Sequence, residues 1–319
     1  MKLPIELIEA IEAEMDEVKT DKLLAGRKAL TDRYKAGLAK KQFMNTHEER
    51  LAYIASRMPA TYRAVYEALK QAGHSLPFIL QSHLDLGSGP GSALWASSEL
   101  FPSLNHLSAL EKDQELSALG KKLAQNSTHP ALKEALWKPC DLESPPPLPE
   151  HDLVTLSYVI GELTQDSLPK LIENSFHAAK KMLLIIEPGT PQGFQRILKA
   201  RTQLLSLGAH IAAPCPHALA CPMQGDDWCH FAARVERSAL HRKLKEGELS
   251  YEDEKFSYIA VTKQPIPQPS ARVLRVPVKR PGHISLTLCT PQGLQLKTLS
   301  KKDKELYKAA KDLRIGDVL

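Results

Sequence analysis

The sequence predicts an α/β protein with a mainly parallel sheet covered on both faces, a helical region before it and a small β-rich module after it. Three observations carry this expectation. Apolar residues recur at spacings of three and four through the first eighty positions. From His83 short apolar runs alternate with helical stretches, the βαβα order of a parallel sheet. After Pro265 the texture changes again, to short strands and a basic helix.

Taken in order, Ile8, Ile11, Met15 and Val18 mark a first helical face, and Leu51, Ile54 and Met58 mark another. Pro59 opens the next helix, through Tyr62, Val65 and Leu69. Lys19 to Lys41 is polar and basic, expected as a helix that touches a partner. SHLDLG reads as a strand ending in a glycine loop, HLSALEKD as a second strand, and Leu116 to Gln125 as a helix. HDLVTLSYV and KMLLIIEP are near-continuous apolar runs, as strands buried on both faces require. Leu168 to Lys180 and Gly193 to Leu207 are helical, and a cysteine-rich loop follows. FAARV and FSYIAV are expected as the last two strands of the sheet, with helical Leu240 to Lys245 between them. Beyond the linker-like QPIPQP, RVLRVPVKR, HISLTLCT and LQLKTLS read as short strands before a helix from Lys302 to Leu313. The expected units are residues 1–80, 81–264 with the cysteine loop inserted at 208–230, and 265–319.

The 319 residues are 43% apolar and 25% charged, an ordinary balance for a soluble globular protein. No apolar run approaches the roughly 20 residues of a membrane span, so no membrane partner is expected. The opening MKLPIELIEAIEAEMDE is acidic and has no apolar signal core, which leads to the expectation of a cytoplasmic protein. The net charge of +5 is unevenly spread. Ser270 to Leu319 hold eleven Lys/Arg against four Asp/Glu, leaving the rest slightly acidic. Such a basic tail suits an anionic partner, RNA before all others, or is simply a solvated basic surface.

Asp85-Leu-Gly-Ser-Gly-Pro-Gly91 follows a strand and precedes a helix. Gly87, Gly89 and Gly91 let the backbone turn and approach a ligand closely. Glu111, about twenty residues on at the end of the second strand, is placed to accept from ribose hydroxyls. A dinucleotide or S-adenosylmethionine (SAM) fits this pattern. Asp85 before the first glycine makes D-x-G-x-G-x-G, which resembles class I SAM methyltransferases and implies their Rossmann-like sheet. On that reading Asp85, Gly87, Ser88, Gly89, Gly91, Glu111, Asp141 and Ser157 form the cofactor pocket. Asp141 follows the presumed third strand, where adenine is contacted in such enzymes; alone it reads equally as a turn residue.

The fourth strand runs into Thr155-Leu-Ser-Tyr-Val-Ile-Gly-Glu162, at the edge where ligands sit in such sheets. Neither a [DN]-P-P-[YF] motif nor a Pro-Cys pair stands there. No catalytic base is therefore identified. Tyr158 and Glu162 are the candidates to position a substrate, with packing or helix capping as their other uses. Methyl transfer by positioning alone remains compatible with this.

Cys215, Cys221 and Cys229 form C-x5-C-x7-C, and Cys289 lies far along in HISLTLC. An odd total of five cysteines in a long chain argues against a disulfide framework. Four thiolates suit a tetrahedral zinc ion or a [4Fe–4S] cluster, with His217 and His230 as alternative ligands. The spacing does not choose between the two metals. Because the loop is read as joining a helix to the sixth strand, it is expected at the amino edge, opposite the glycine loop. That would make the centre structural, pinning the loop to the C-terminal module.

Arg57-Met-Pro-Ala60, the glycine loop, Ser157-Tyr-Val-Ile-Gly-Glu-Leu163, Glu187-Pro-Gly-Thr-Pro-Gln-Gly-Phe194, the cysteine loop and Pro277-Val-Lys-Arg280 leading to Cys289 together resemble the Rsm22 family of small-ribosomal-subunit proteins, which includes the methyltransferase-like 17 proteins. The resemblance implies a [4Fe–4S] cluster on Cys215, Cys221, Cys229 and Cys289, a SAM pocket at the glycine loop, and small-subunit rRNA or the small ribosomal subunit as partner, not DNA. It leaves three functions: a SAM-dependent rRNA methyltransferase, a non-catalytic assembly or RNA-binding factor, and a zinc-containing methyltransferase of a protein or small molecule.

Overall fold

Four helices come first: α1 (Ile5–Asp16), α2 (Thr20–Lys35), α3 (His47–Ser56) and α4 (Met58–Gly73). The computed structural model describes residues 3–35, 44–74, 76–245 and 248–319. Pro59 stands in the first turn of α4, where its missing N–H is harmless. Thr46 caps α3 by accepting the Glu49 N–H at 3.2 Å. Of the basic stretch expected as a partner-touching helix, α2 is helical; residues 36–41 lie outside the described residues.

Next come β1 (Ser82–Leu86), α5 (Ser92–Leu100), β2 (His106–Glu111), α6 (Gln114–Ala124), the single turn α7 (Pro130–Lys133), β3 (Leu136–Pro139), β4 (His151–Ser157), α8 (Leu168–Ala178), β5 (Ala179–Pro188) and α9 (Pro191–Ser206). The strands lie in the order β3-β2-β1-β4-β5, all parallel. Their side chains alternate between two cores. Met182, Leu184 and Ile186 of β5 pack with the N-terminal helices, α5 and α6, whereas Leu183 and Ile185 pack with α8 and α9. The N-terminal helices thus share one core with a face of the sheet.

The sheet is completed by β6 (His210–Ala213), β7 (Phe231–Glu236) and β8 (Tyr251–Thr262), with α10 (Ala239–Lys245) between the last two. β8 lies antiparallel between β5 and β6. Only its second half does so, from Phe256 opposite Pro188 to Thr262 opposite Met182. Its first half runs on past the carboxyl end of β5 and pairs with β7, Phe231 to Phe256 and Glu236 to Tyr251. β7 alternates buried and exposed residues, as a strand wet on one face must.

This register overturns one expectation. The cysteine loop does not join a helix to a sixth strand at the amino edge. The four-residue β6 precedes it and runs in the same direction as β5, so the loop leaves from the carboxyl edge. It returns into β7 level with Pro188. The cysteine loop and the glycine loop therefore share one edge of the sheet.

Residues 272–310 form a second sheet of β9 (Arg272–Val273), β10 (Val278–Arg280), β11 (His283–Thr290) and β12 (Gly293–Ser300), in the order β10-β11-β12 with β9 on β11, backed by α11 (Lys304–Ala310). Val273, Ile284, Leu286, Leu288, Leu299 and Ala310 make its own small core. No helix among the described residues is long and apolar enough to cross a membrane.

Candidate functional site

A cleft of about 510 Å³ opens at the carboxyl ends of β1, β2 and β4. Gly87, Gly89, Glu111, Asp141, Ser157, Tyr158 and Glu162 line it, all of them residues picked out from the sequence. Gly87 has φ +67, and a Cβ there would stand 2.5 Å from Val159 Cγ2, so only glycine fits. Glu111 holds the loop: one carboxylate oxygen accepts the Gly89 N–H at 2.7 Å, the other the Asp113 N–H at 2.8 Å. Each oxygen keeps a lone pair for a ligand. Ser157 Oγ is buried on the cleft wall without a partner. Asp141 stands on the rim, paired to Lys112 at 2.6 Å.

Asp85, Ser88 and Gly91 fall outside the cleft lining. Asp85 is buried beneath the loop, where Thr155 Oγ1 donates to it at 2.6 Å. Burial raises its carboxyl to about 7 despite that hydrogen bond. Ser88 is buried with its hydroxyl unpartnered, and Gly91 turns at φ +85 into α5.

Tyr158 adopts a left-handed φ of +61, uncommon for a side chain of its size. Its hydroxyl donates to Glu254 of β8 at 3.1 Å, and the Arg57 guanidinium both pairs with Glu254 at 3.1 Å and sits 5.7 Å from the Tyr158 ring centre. Burial first, then the Glu254 charge, holds the phenol well above its ordinary range. Tyr158 is thus a committed hydrogen-bond donor. Sequence reading missed the cleft residues supplied by α3, Arg50 and Tyr53. Arg50 grips Asp113 through Nε at 2.9 and 3.0 Å and reaches Glu115 at 2.9 Å.

A second, smaller cavity of about 40 Å³ is lined by Cys215, Cys221, Cys229 and Cys289, together with His217 and Arg201. Three of these thiols come from the loop and the fourth from β11, so the cavity joins the two sheets. Cys289 Sγ lies 3.6 Å from His217 Nε2. Burial, reinforced by Cys215 and Cys221, pushes the Cys289 thiol up to about 12, and burial with its three thiol neighbours pushes Cys229 well above its usual value. All five cysteines are free. His230 stacks on Trp228 at 5.2 Å instead of lining the cavity. Among the described residues no group of three or more His, Cys, Asp or Glu side chains is drawn together tightly enough to hold a metal ion as it stands. The thiols line one cavity without closing on one point.

Glu187-Pro-Gly-Thr-Pro-Gln-Gly-Phe194 spans the distance between cleft and cavity. Glu187 is buried, bonded to Arg196 at 2.9 Å, and burial raises its carboxyl to about 7. Gly189 donates to Lys255 O at 2.9 Å and its carbonyl accepts Trp228 Nε1–H at 2.9 Å. Thr190 caps α9 by accepting the Gly193 N–H at 3.1 Å, with Pro191 in the first turn. A Cβ on Gly193 would lie 2.0 Å from Pro188 O. Phe194 then lines the cysteine cavity.

A parallel α/β sheet with an antiparallel strand beside β5, and a glycine-loop cleft at the carboxyl edge, defines a protein of the class I methyltransferase fold. The chain belongs to the Rsm22 family: residues 47–319 match the family described as "Mitochondrial small ribosomal subunit Rsm22". It is 26% identical over 290 residues to the human "Ribosome assembly protein METTL17, mitochondrial", covering 84% of this chain and 62% of that one. It is 21% identical over 418 residues to the Saccharomyces cerevisiae "Ribosome assembly protein RSM22, mitochondrial", covering 84% and 66%. The chain thus spans less than two thirds of the length of these relatives. Among solved structures it is similar to the magnesium protoporphyrin IX methyltransferase of Synechocystis with bound SAM, at a TM-score of 0.42 and 13% identity, covering 75% of this chain and 97% of that one. The expectation of a cytoplasmic protein is corrected here, because the matched family and these relatives are named mitochondrial. An acidic opening segment was too little to assign a compartment.

Proposed function

We propose that this chain is a SAM-binding, methyltransferase-like protein that works in assembly of the mitochondrial small ribosomal subunit through contact with its rRNA, and that Cys215, Cys221, Cys229 and Cys289 hold a [4Fe–4S] cluster. The observation that carries it is the meeting of these four thiols, three from the cysteine loop and one from β11 of the second sheet, on one cavity beside the glycine-loop cleft. Membership of the Rsm22 family, whose relatives are named ribosome assembly proteins, supports the ribosomal role.

The cleft suits SAM on three counts. Its volume is in the range of small-molecule sites. Its rim carries Glu111, Asp113, Glu115, Asp141, Glu143 and Glu162 against Arg50 and Lys112, a negative field that attracts a cation and repels phosphate. Ser157 offers an unpartnered hydroxyl inside it. Gly87, Gly89, Glu111, Asp141 and Ser157 would hold SAM, which when bound supplies a methyl group on a positive sulfonium. Asp85 would act from beneath the loop, holding the end of β1 to β4 through Thr155. RNA would approach the C-terminal module, where nine of the eleven basic residues after Ser270 are exposed.

A second reading, a binding factor without catalysis, is favoured by Tyr158, whose hydroxyl is committed to Glu254. A zinc-containing methyltransferase remains the competing outcome for the metal. Anaerobic purification with iron, sulfide and zinc analysis, then S-adenosylhomocysteine titration and small-subunit rRNA binding, tests the proposal. About four iron per chain and salt-sensitive rRNA binding are expected. One zinc per chain and no rRNA affinity would overturn it. Methyl label entering the bound rRNA separates the enzyme from the binding factor.

A further inference from the structure

The cysteine cavity is flanked by two arginines with almost no access to water. Arg201 of α9 is 5% exposed and Arg272 of β9 is 3% exposed. Arg201 donates to His217 O at 3.1 Å and Leu219 O at 2.7 Å. Its Nε–H is buried without a partner, and its side chain lines the cavity. Arg272 donates through Nε to Pro214 O at 2.7 Å and through a terminal nitrogen to Gly316 O at 2.6 Å. Neither guanidinium meets a carboxylate among the described residues. Their neighbours differ: Arg196 pairs with Glu187 and Arg275 with Asp227.

Two buried positive charges without a counter-charge are costly, by several kcal/mol each in an otherwise apolar setting. Carbonyl oxygens satisfy their hydrogen bonds but not their charge. The cavity beside them holds four thiols that can supply negative charge. Arg201 lines the cavity together with Cys215 and Cys289, and Arg272 stands directly across from Cys289 in the β9–β11 pair while binding the carbonyl that precedes Cys215. Four thiolates around a doubly positive centre, either zinc or an oxidised [4Fe–4S] cluster, leave a doubly negative unit. That is the charge two guanidiniums neutralise.

We propose that Arg201 and Arg272 are positioning residues that supply the counter-charge to a four-thiolate centre, the unpartnered Arg201 Nε–H being available to donate to it. The inference rests on the metal-binding reading above. It adds that the site is built for a dianionic occupant, and that the arginines tie its retention to α9 and to the first strand of the C-terminal sheet.

The two arginines also brace the loop backbone, so the test must separate charge from bracing. Full-length protein, wild type and with Arg201→Met, Arg272→Met or Arg201→Lys, is reconstituted anaerobically with iron and sulfide and, separately, with zinc. Loss of metal to a chelator and thermal melting of loaded and stripped protein are then measured. Either methionine variant should lose metal about tenfold faster or more, as supporting groups around a metal site do when removed. The fall in melting temperature should be larger for loaded than for stripped protein, and Arg201→Lys should recover most of the retention. In the iron–sulfur form, Arg201→Met should shift the reduction midpoint to more negative potential, because reduction adds charge that the arginine no longer balances. Equal melting losses in loaded and stripped protein, with unchanged retention, would mean bracing alone and overturn the proposal. If a methionine variant fails to fold, the lysine variant decides, since metal loss about tenfold faster than from wild type with the positive charge kept refutes a charge role. If wild-type protein takes up neither metal, the metal reading fails first, visibly, and the proposal falls with it.

Discussion

The Tyr158 hydroxyl donates to Glu254 at 3.1 Å, fastening the residue just after β4 to a strand that also carries Ser257, whose hydroxyl donates to the Cys229 carbonyl at 2.8 Å. Cleft and cysteine loop are thus tied to positions three residues apart on β8. Tyr158→Phe should cost about 1 kcal/mol in chemical denaturation, the usual net worth of one hydrogen bond, because Glu254 keeps Arg57. S-adenosylhomocysteine affinity should be unchanged. Glu254→Gln should cost more, since it leaves the Arg57 charge unbalanced. A large loss of ligand affinity in Tyr158→Phe would mean that the phenol meets the ligand directly.

Asp85 gives a pH signature. Its folded carboxyl is raised to about 7, against about 3.9 in an unfolded chain. The folded state therefore binds more protons between these values. The stabilisation is complete below about pH 4 and is lost as pH rises through 7. Glu187, raised to about 7 by burial, acts in the same direction. Wild-type stability should fall from pH 5 to pH 7.5, and Asp85→Asn should flatten part of that slope, gaining relative to wild type at the upper end. Denaturation midpoints at pH 5, 6.5 and 7.5 check this; parallel curves for the two proteins would show that Asp85 titrates normally.

The turn from β5 into α9 should rank its substitutions by geometry. Thr190→Ala removes one helix cap and should cost about 1 kcal/mol. Gly193→Ala forces a carbon to 2.0 Å from Pro188 O and should cost about 3 kcal/mol or more. Because this turn lies between the two sites, Gly193→Ala should also weaken S-adenosylhomocysteine binding and metal retention together. Urea titrations in which the two variants are equal would contradict the reading.

What the sequence could and could not show follows from the kinds of signal involved. The glycine loop, Glu111, β4 and β5 were legible because a local pattern determines each: a turn needing positive φ, or a strand buried on both faces. β6 was not. Four residues, His210–Ala213, carry too little period to stand apart from the loop that follows, and missing them reversed the edge on which that loop was placed. Arg50 and Tyr53 were equally hidden as parts of the cleft, since nothing near them in sequence shows that α3 packs beside the turn that follows β2. The left-handed Tyr158 carries no sequence signal, because it is held by contacts with Glu254 and Arg57 that lie far off along the chain.

The basic module and the cysteine loop should act as one unit on RNA. Cys289 lies in β11 but lines the loop's cavity, and Arg272 binds Pro214 O, so the second sheet is anchored where the loop is. Lys301, Lys302 and Lys304 stand exposed at the start of α11. Replacing all three with Gln should weaken binding to small-subunit rRNA across sequences, and lower the slope of log affinity against log salt by about two to three if each meets a phosphate. Cys289→Ser should act differently. It leaves those lysines in place but takes away the one thiol that the second sheet contributes, so the module should become susceptible to protease between residues 263 and 282. Affinity should fall with little change in salt slope per folded molecule. A Gly89→Ala variant, altered only at the cleft, should bind rRNA as wild type does. Should the lysine variant keep the full salt slope, the RNA must dock on another face of the protein, and the acidic cleft rim leaves α2 as the next basic surface to examine.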